Sequence, residues 1–303
     1  MKRVITAMAL IPLVVAAVFW LPNWIFSLAT GAVALIAADE FLGIAEAAGF
    51  APARHVTLLF VALMFVAFPL RSTLQLHEAQ WLRLPGGMYW ATPRFPTLLL
   101  ALIIACTFAA LAAGMRRTDL RASFGGSAMS VLAIPYIALT LGSLVLLKDT
   151  EFGPFLILYL FIVVWSGDIF AYYAGRAFGR HKLAARISPG KSWEGAAASF
   201  ISSVILGSVF FHFAEPITAA MFRIHALTTV GTEPRALSTI IGLSAVLNLV
   251  AQTGDLLESF AKRAAGVKDS GTMVPGHGGV LDRIDALLFA APVLWYYALV
   301  TGP

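Results

Sequence analysis

Long apolar runs recur along this 303-residue chain, and several reach the ~20 residues that an α-helix needs to cross a bilayer. Backbone groups inside a bilayer must find hydrogen-bond partners within their own segment, so such runs fold as helices. The composition agrees, because 59% of the residues are hydrophobic and 12% are charged, whereas roughly a quarter are charged in soluble domains. The sequence therefore predicts an all-α protein, a polytopic integral membrane helical bundle.

The apolar runs predict about nine transmembrane helices. They fall at roughly 4–21, 24–48, 56–70, 97–114, 128–147, 152–174, 195–213, 237–257 and 286–301. The first run exceeds the roughly 7–15 apolar residues of a signal peptide, and no small-x-small cleavage site follows it promptly. We therefore expect it to be a retained span.

The positive charges predict the orientation of the spans. If the N-terminus is cytoplasmic, most of the 21 Lys and Arg residues fall in cytoplasmic connections, as the positive-inside rule requires. The richest connections are the loops 175–194 and 258–285. We expect a multi-pass protein of the cytoplasmic (inner) membrane. Orientation and anionic lipid explain the net charge of +5, so no nucleic acid partner is needed.

Other residues narrow the chemistry without fixing it. The single cysteine, Cys106, excludes an internal disulfide and a thiolate cluster for zinc. Asp39, Glu40 and Glu46 lie in the second predicted span, where carboxylates are costly and suggest function. The alternative, that Glu46 and Glu40 reach the interface, stays open.

The eighth predicted span carries a polar stripe. Asn248, Gln252, Asp255 and Ser259 are spaced by 4, 3 and 4 residues, which places them on one helical face. Interhelical hydrogen bonding accounts for Asn248 and Gln252. An ionised Asp255, by contrast, requires a cation or a metal.

The sixth predicted span and the loop after it carry a second set. Asp168 and Tyr172 lie four residues apart on one face. Ser188-Pro189-Gly190-Lys191 precedes an expected helix start at about Trp193-Glu194, and a turn with a lysine before a helix N-terminus can cradle phosphate. The two-glycine spacing of a P-loop is missing, so a solvated basic loop is the alternative.

Topology brings three carboxylates together. Asp168, Asp255 and Asp282 fall at the cytoplasmic ends of their predicted spans, beside the two basic loops. Carboxylates flanked by cations bind a divalent ion and the phosphates that it carries. Mg²⁺ shares one or two carboxylates with substrate phosphates, which fits Asp255 and Asp282. Such chemistry relies on positioning and electrostatics and needs no protein nucleophile.

Several motifs in the C-terminal half carry a family resemblance. They are Ser259-x-x-Lys262-Arg263, Lys268-Asp269-Ser270-Gly271, Pro275-Gly276-His277-Gly278-Gly279, Leu281-Asp282-Arg283-Ile284-Asp285, Ser166-Gly167-Asp168, Ala171-Tyr172, Gly175-Arg176 and Ile187-Ser188-Pro189-Gly190-Lys191-Ser192-Trp193-Glu194-Gly195. This pattern resembles the signature of the CDP-diacylglycerol synthases, the phosphatidate cytidylyltransferases. It covers mainly Trp165 to the C-terminus; Ala261 and Val274 depart from the usual larger aliphatic residues, which affects packing rather than chemistry.

The resemblance implies a reaction and a set of site residues. The enzyme would transfer CMP from CTP to phosphatidate, giving pyrophosphate and CDP-diacylglycerol for phospholipid synthesis. The catalytic residues would be Asp168, Asp255, Lys262, Arg263 and Asp282. The substrate-binding residues would be Ser188, Lys191, Trp193, Glu194, Ser259, Lys268, Asp269, His277, Arg283 and Asp285. Residues 1–150 would form an N-terminal, lipid-facing scaffold, and residues 151–303 the catalytic part with its two cytoplasmic loops.

The residues also suggest a mechanism. The lipid phosphate attacks the α-phosphorus of CTP in line, with Mg²⁺ held by Asp255 and Asp282 as the metal ligands. Lys191, Lys262, Arg263 and Arg283 would clamp phosphates. Asp168 would complete a second cation position or orient a lysine, and His277 would bond a phosphate oxygen or shape the Gly-rich turn. A second cation and a homodimer are left open.

The rival class is a cation- or proton-coupled membrane transporter, because intramembrane carboxylates suit an ion pathway. The clustering of the acidic residues at one face and the lack of an inverted repeat in the sequence argue against it. A CDP-alcohol phosphotransferase would need an Asp-Gly pair that the sequence lacks. A non-catalytic scaffold would leave the charge cluster unexplained.

Overall fold

A computed structural model describes residues 2–71, 82–83, 89–90, 94–227, 230, 235–273 and 278–301. Its helices are α1 (Lys2–Trp20), α2 (Asn23–Ala47), α3 (Arg54–Ala67), α4 (Arg94–Met115), α5 (Leu120–Ala133), α6 (Thr140–Lys148), α7 (Gly153–Phe178), α8 (Trp193–His212), α9 (Ala214–Arg223), α10 (Leu237–Ala264) and α11 (Leu281–Thr301). A 3₁₀ turn, Phe68–Leu70, follows α3, and a π-helical segment, Ile134–Leu139, joins α5 to α6. The strands β1 (Leu82–Arg83) and β2 (Tyr89–Trp90) pair antiparallel, as do β3 (Lys182–Ala184) and β4 (Ser188–Ser192).

The all-α membrane architecture is confirmed. Within the described ranges, seven helical segments are long and apolar enough to cross a membrane. Two shorter apolar helices, Ile11–Trp20 and Arg54–Leu70, coincide with the first and third predicted spans. The count of nine spans is therefore not confirmed.

Two helices extend beyond the apolar runs that predicted them. α10 continues to Ala264 and α11 begins at Leu281, so both ends of the predicted loop 258–285 are helical. Glu258 and Lys262 form an ion pair one turn apart in α10, which supports the helix there. Asp282 lies in the first turn of α11, where the helix dipole favours a negative charge.

The chain divides into two compact units, the first of which comprises Met1–Pro22 and Ser143–Pro303. Its centre is α7, which packs on α8 and α10. Tyr159 of α7 and Ser244 of α10 share a buried hydrogen bond of 2.7 Å between their hydroxyl groups. Ser203 of α8 donates its hydroxyl to the Val163 carbonyl of α7 at 2.6 Å. These contacts fix the three helices that carry most of the predicted site residues.

The second unit comprises Asn23–Gly142. Arg54, at the start of α3, forms ion pairs with Asp39 and with Glu46 near the end of α2. For these two carboxylates the structure supplies a structural role, the joining of α2 to α3. The functional division of the chain at residue 150 stays a prediction.

Candidate active site

A cavity of about 410 Å³ opens beside the β3–β4 hairpin, and its volume falls within the roughly 300–1,000 Å³ of small-molecule sites. Residues from α7, the hairpin, α8 and α10 line it: Asp168, Ala171, Tyr172, Gly175, Arg176, Leu183, Gly190, Lys191, Ser192, Gly195, Ala196, Ser199, Gln252 and Asp255. The fold thus brings three of the predicted site residues, Asp168, Lys191 and Asp255, to one cavity.

Lys191 reaches the cavity from strand β4, two residues before α8 begins. The helix begins at Trp193, as expected, because Ser192 caps it: the Ser192 hydroxyl accepts a hydrogen bond of 3.2 Å from the Gly195 amide. Lys191 Nζ lies 2.6 Å from Asp255 Oδ2, and the two side chains are 25% and 36% exposed. This ion pair is open to the cavity.

The hairpin that carries Lys191 is fixed at its base. His181 Nδ1 lies 2.7 Å from Glu194 Oε1, and the His181 amide donates to the same carboxylate at 3.3 Å. The Trp193 amide donates to the His181 carbonyl at 2.9 Å. Ser188 is half-buried in β4, opposite Ala184. Glu194, Trp193 and Ser188 therefore build the hairpin, and their contact with substrate stays a prediction.

Lys262 belongs to a different, buried cluster. Its Nζ lies 2.5 Å from Glu258 Oε2 and 2.5 Å from Asp282 Oδ1. The side chains of Glu258 and Asp282 are 1% and 7% exposed. We call Glu258, Lys262 and Asp282 the buried triad.

Asp282 also joins the two ends of the segment between α10 and α11. Its Oδ2 accepts hydrogen bonds from the Ser270 amide at 3.0 Å and from the Gly279 amide at 2.8 Å. Gly278 has φ +80°, and a Cβ there would lie 2.7 Å from Asp282 Oδ2. Only glycine satisfies both the backbone conformation and the close approach. In this form Asp282 is a fully engaged acceptor.

One turn further along α11, Asp285 approaches the cavity carboxylates. A Cβ on Gly254 would lie 2.6 Å from the Asp285 carbonyl oxygen, so glycine allows α10 and α11 to touch here. The charge of Asp285 interacts with those of Asp168 and Asp255. The exposed Arg283 is positively charged, and it attracts the negative charge of Asp168. The negative charges of α7, α10 and α11 thus act on one another, and a bound cation would relieve that repulsion.

The remaining predicted residues surround these clusters. Arg263 donates through Nε to the Ile187 carbonyl at 3.3 Å and through Nη1 to the Val267 carbonyl at 3.1 Å, which ties the end of α10 to the hairpin. Lys268 and Asp269 are exposed, and Ser259 is half-buried on α10. His277 lies outside the described residues.

The predicted magnesium ligands do not meet in a ready-made metal site. Among the described residues, no three His, Cys, Asp or Glu side chains form a group that could hold a metal ion. Asp255 engages Lys191, and Asp282 engages Lys262. Both are nevertheless oxygen donors of the kind that Mg²⁺ accepts together with water and substrate phosphates. Joint metal binding by Asp255 and Asp282 stays a prediction.

The deeper part of the polar stripe holds helices together. Asn248 Nδ2 donates to the Ser199 hydroxyl at 2.9 Å and to the Ser203 hydroxyl at 2.8 Å. Gln252 Nε2 donates to the Ala196 carbonyl of α8 at 3.3 Å and, within α10, to Asn248 Oδ1 at 2.5 Å. Both residues thus form the expected interhelical hydrogen bonds. A Cβ on Gly167 would lie 2.7 Å from Asn248 Nδ2, so α7 needs glycine beside this network.

The sequence analysis assigned no site role to two further candidates. Arg176, quoted there only within a family motif, lines the cavity and donates through Nη1 to the Tyr172 hydroxyl at 3.2 Å. Its spacing from Tyr172, four residues, continues the face that begins at Asp168 and could have revealed it. Glu258 was missed as well, although it lies three residues after Asp255 and four before Lys262.

The class of protein follows from the comparison of the whole sequence. A family model described as "Cytidylyltransferase family" matches residues 1–301. The chain belongs to this family, which confirms the resemblance inferred from its motifs. The match also extends into the N-terminal half, beyond the Trp165–C-terminus region that carried the motifs.

Individual relatives narrow the class further. The chain is 36% identical to a phosphatidate cytidylyltransferase of Haemophilus influenzae, over 98% of this chain and 97% of the relative. It is 32% identical to the enzyme of the same name from Pseudomonas aeruginosa, over 96% and 94% of the two chains. A Staphylococcus aureus phosphatidate cytidylyltransferase is 30% identical, over 79% of this chain and 88% of the relative. These similarities favour the transferase over the transporter.

Proposed function

We propose that this protein transfers the cytidylyl group of CTP to phosphatidate, releasing pyrophosphate and leaving CDP-diacylglycerol in the membrane. The observation that carries the proposal is the cavity in which Lys191 and Arg176 face Asp168 and Asp255. A cavity with both signs of charge suits a substrate whose phosphates carry a metal ion. Membership of the cytidylyltransferase family and the names of the relatives support the same reaction.

The reaction needs little proton transfer from the protein. A phosphomonoester loses its second proton with a pKa of about 6, so the phosphatidate phosphate is mostly a dianion at neutral pH. One of its oxygens forms a bond to the α-phosphorus of CTP. The bond from that phosphorus to the oxygen bridging to the β-phosphate breaks, and pyrophosphate leaves with the electron pair. The task of the protein is to align the two phosphates and to neutralise their charge.

The cations of the site have distinct tasks in this reaction. Lys191 exchanges Asp255 for a substrate phosphate, because its ion pair is open to the cavity. Arg176, held by Tyr172, offers a planar guanidinium that can bind two phosphate oxygens at once. Lys262 and Arg283 neutralise charge from the α10–α11 side.

Asp255 and Asp282 would hold Mg²⁺, each giving up its lysine partner, and Asp168 and Asp285 would add to the negative field around them. The bound ion would supply charge stabilisation for the phosphate oxygens in the transition state. The crowding of Asp168, Asp255 and Asp285 supports this assignment, because a cation relieves their mutual repulsion.

The cavity faces the cytoplasm of the inner membrane in this proposal. The positive-inside distribution of Lys and Arg supports that side, since the basic hairpin 182–192 lines the cavity and Arg263, at the end of α10, donates to the hairpin. CTP then enters from the cytosol, and phosphatidate is supplied by the bilayer.

The decisive experiment gives detergent-purified protein labelled CTP, phosphatidate and Mg²⁺ and measures label in the lipid fraction. We expect label transfer that requires all three components and stops when a chelator removes the metal. Asp255→Asn is the matched variant: it should elute as folded protein and transfer no label. A folded wild-type protein that leaves the lipid unlabelled would refute the proposal and favour a transporter.

A further inference from the structure

Glu258 is buried in the triad with Lys262 and Asp282, yet none of the roles above uses it. Its side chain is 1% exposed, and its Oε2 lies 2.5 Å from Lys262 Nζ. In the described part of the chain, neither carboxylate oxygen receives a hydrogen bond of standard geometry. Burial of a carboxylate is costly unless it is well paired. Because Glu258 is buried at this cost without building a hydrogen-bond network, we expect it to have another role.

Neutralisation of Lys262 does not require Glu258, because Asp282 already supplies one negative charge. The buried triad thus offers Lys262 two carboxylate partners, one more than its charge requires. The surplus partner has a use if Asp282 leaves Lys262 during the reaction. Glu258 then remains as the group that keeps the ammonium in place.

The two partners of Lys262 differ in how they are attached. Glu258 and Lys262 lie one turn apart on the same helix, α10, so their contact is set by the helix itself. Asp282 comes from α11, and it also accepts hydrogen bonds from the Ser270 and Gly279 amides of the intervening segment. A rearrangement of that segment can move Asp282 while the Glu258–Lys262 contact persists.

We propose that Glu258 is a positioning residue for the cytidylyl transfer. Its buried carboxylate fixes the Lys262 ammonium at the end of α10, so that the lysine stays aligned with a substrate phosphate when Asp282 gives it up. The inference rests on the proposed function. It adds a residue that acts through Lys262 and never touches the substrate.

The test compares kcat and KM of the wild type and Glu258→Gln, purified in detergent, and measures thermal unfolding over the full double-mutant cycle of Glu258→Gln and Lys262→Met. Glu258→Gln keeps the shape of the side chain and removes its charge. We expect kcat to fall about 10- to 100-fold, as for misalignment of a catalytic group, with both KM values nearly unchanged. Glu215→Gln, the same change at an exposed position on α9, is the control and should match the wild type.

The unfolding measurement tests the contact independently of activity. In the wild-type background Glu258→Gln should lower the unfolding temperature, because it weakens the triad. In the Lys262→Met background it should raise the unfolding temperature, because it removes a buried carboxylate that has lost its cation. This reversal of sign is specific to a residue that acts through Lys262.

Two outcomes would overturn the inference. One is a wild-type kcat for folded Glu258→Gln. The other is an equal drop in unfolding temperature in both backgrounds, which would mean that Glu258 only packs. Absence of transfer by the wild type would instead count against the proposed function, and the reversal of sign would still report on the contact.

Discussion

Lys191 and Lys262 are both lysines paired with carboxylates, but the protein holds them in opposite ways. Lys191 extends from a two-stranded hairpin to one partner, Asp255, and both side chains are open to the cavity. Lys262 extends from a long helix to two partners, Glu258 and Asp282, in a nearly dry environment. From the family motifs alone, both lysines would be assigned the same role, that of a cation that binds phosphate.

The difference in burial assigns them different tasks. Water stabilises separated charges at an exposed ion pair, so Lys191 and Asp255 can part at little cost. A buried pair cannot part unless another charge replaces the lost partner. Lys191 is therefore suited to follow a substrate that enters and leaves, whereas Lys262 is suited to stay fixed between exchanging partners.

The largest effect is expected for Lys262→Met. The substitution leaves Glu258 and Asp282 buried without their cation, which should cost about 3–5 kcal/mol of stability, and transfer activity should disappear. Thermal unfolding in detergent and the labelled-CTP assay measure the two losses. A variant that remains as stable as the wild type would show that the triad is hydrated. Burial would then no longer distinguish Lys262 from Lys191.

Lys191→Met should separate activity from stability. We expect turnover to fall about 100- to 1,000-fold, the usual loss when one preorganised charge-stabilising group is removed, while stability changes by no more than about 1 kcal/mol. The same two assays apply. Equal destabilisation by Lys191→Met and Lys262→Met would contradict the assignment of an exchanging and a fixed lysine.

The sequence was sufficient for the fold class because apolar length is a direct physical requirement of the bilayer. Helical spacing was equally reliable for the polar stripe: Asn248 and Gln252 form the expected interhelical hydrogen bonds to α8. The start of α8 was also predicted correctly, since a serine at the N-cap, Ser192, and an acidic residue in the first turn, Glu194, are local signals of a helix start. Each of these features depends on neighbours in sequence.

The arrangement within the site depends on contacts between distant residues, which spacing cannot supply. Nothing local distinguishes Lys191, which pairs with Asp255, from Lys262, which pairs with Asp282. Both ends of the predicted loop 258–285 are helical because a helix does not stop where its apolar run ends: Glu258 and Lys262 stabilise one more turn of α10.

Arg176 is a third cation to compare with Lys191 and Lys262. It lies in the cavity wall and contacts Tyr172. Loss of a hydrogen bond to a charged partner costs about 1.5–3 kcal/mol, so Arg176→Ala should reduce kcat/KM by roughly 10- to 100-fold. Arg176→Lys keeps the charge and loses the two-pronged geometry, so it should recover only part of the loss. Initial rates with CTP and phosphatidate varied separately identify the substrate that Arg176 binds. Full recovery by lysine would mean that charge alone matters there.

The smallest effect is expected at Asn248 in α10, where a polar side chain serves helix packing. Asn248→Ala removes the donor to Ser199 and Ser203, and interhelical hydrogen bonds in membranes contribute about 0.6 to 1.7 kcal/mol. Stability should fall by that amount, while kcat per folded molecule stays within about threefold of the wild type, because Asn248 lies off the cavity lining. Thr253→Val is the matched control: Thr253 is exposed on the same helix, and its hydroxyl donates to the Leu249 carbonyl one turn earlier at 2.8 Å. A large drop in kcat for Asn248→Ala without loss of stability would instead mean that Asn248 takes part in the reaction. The catalytic site would then extend further along α10, towards the middle of the bilayer.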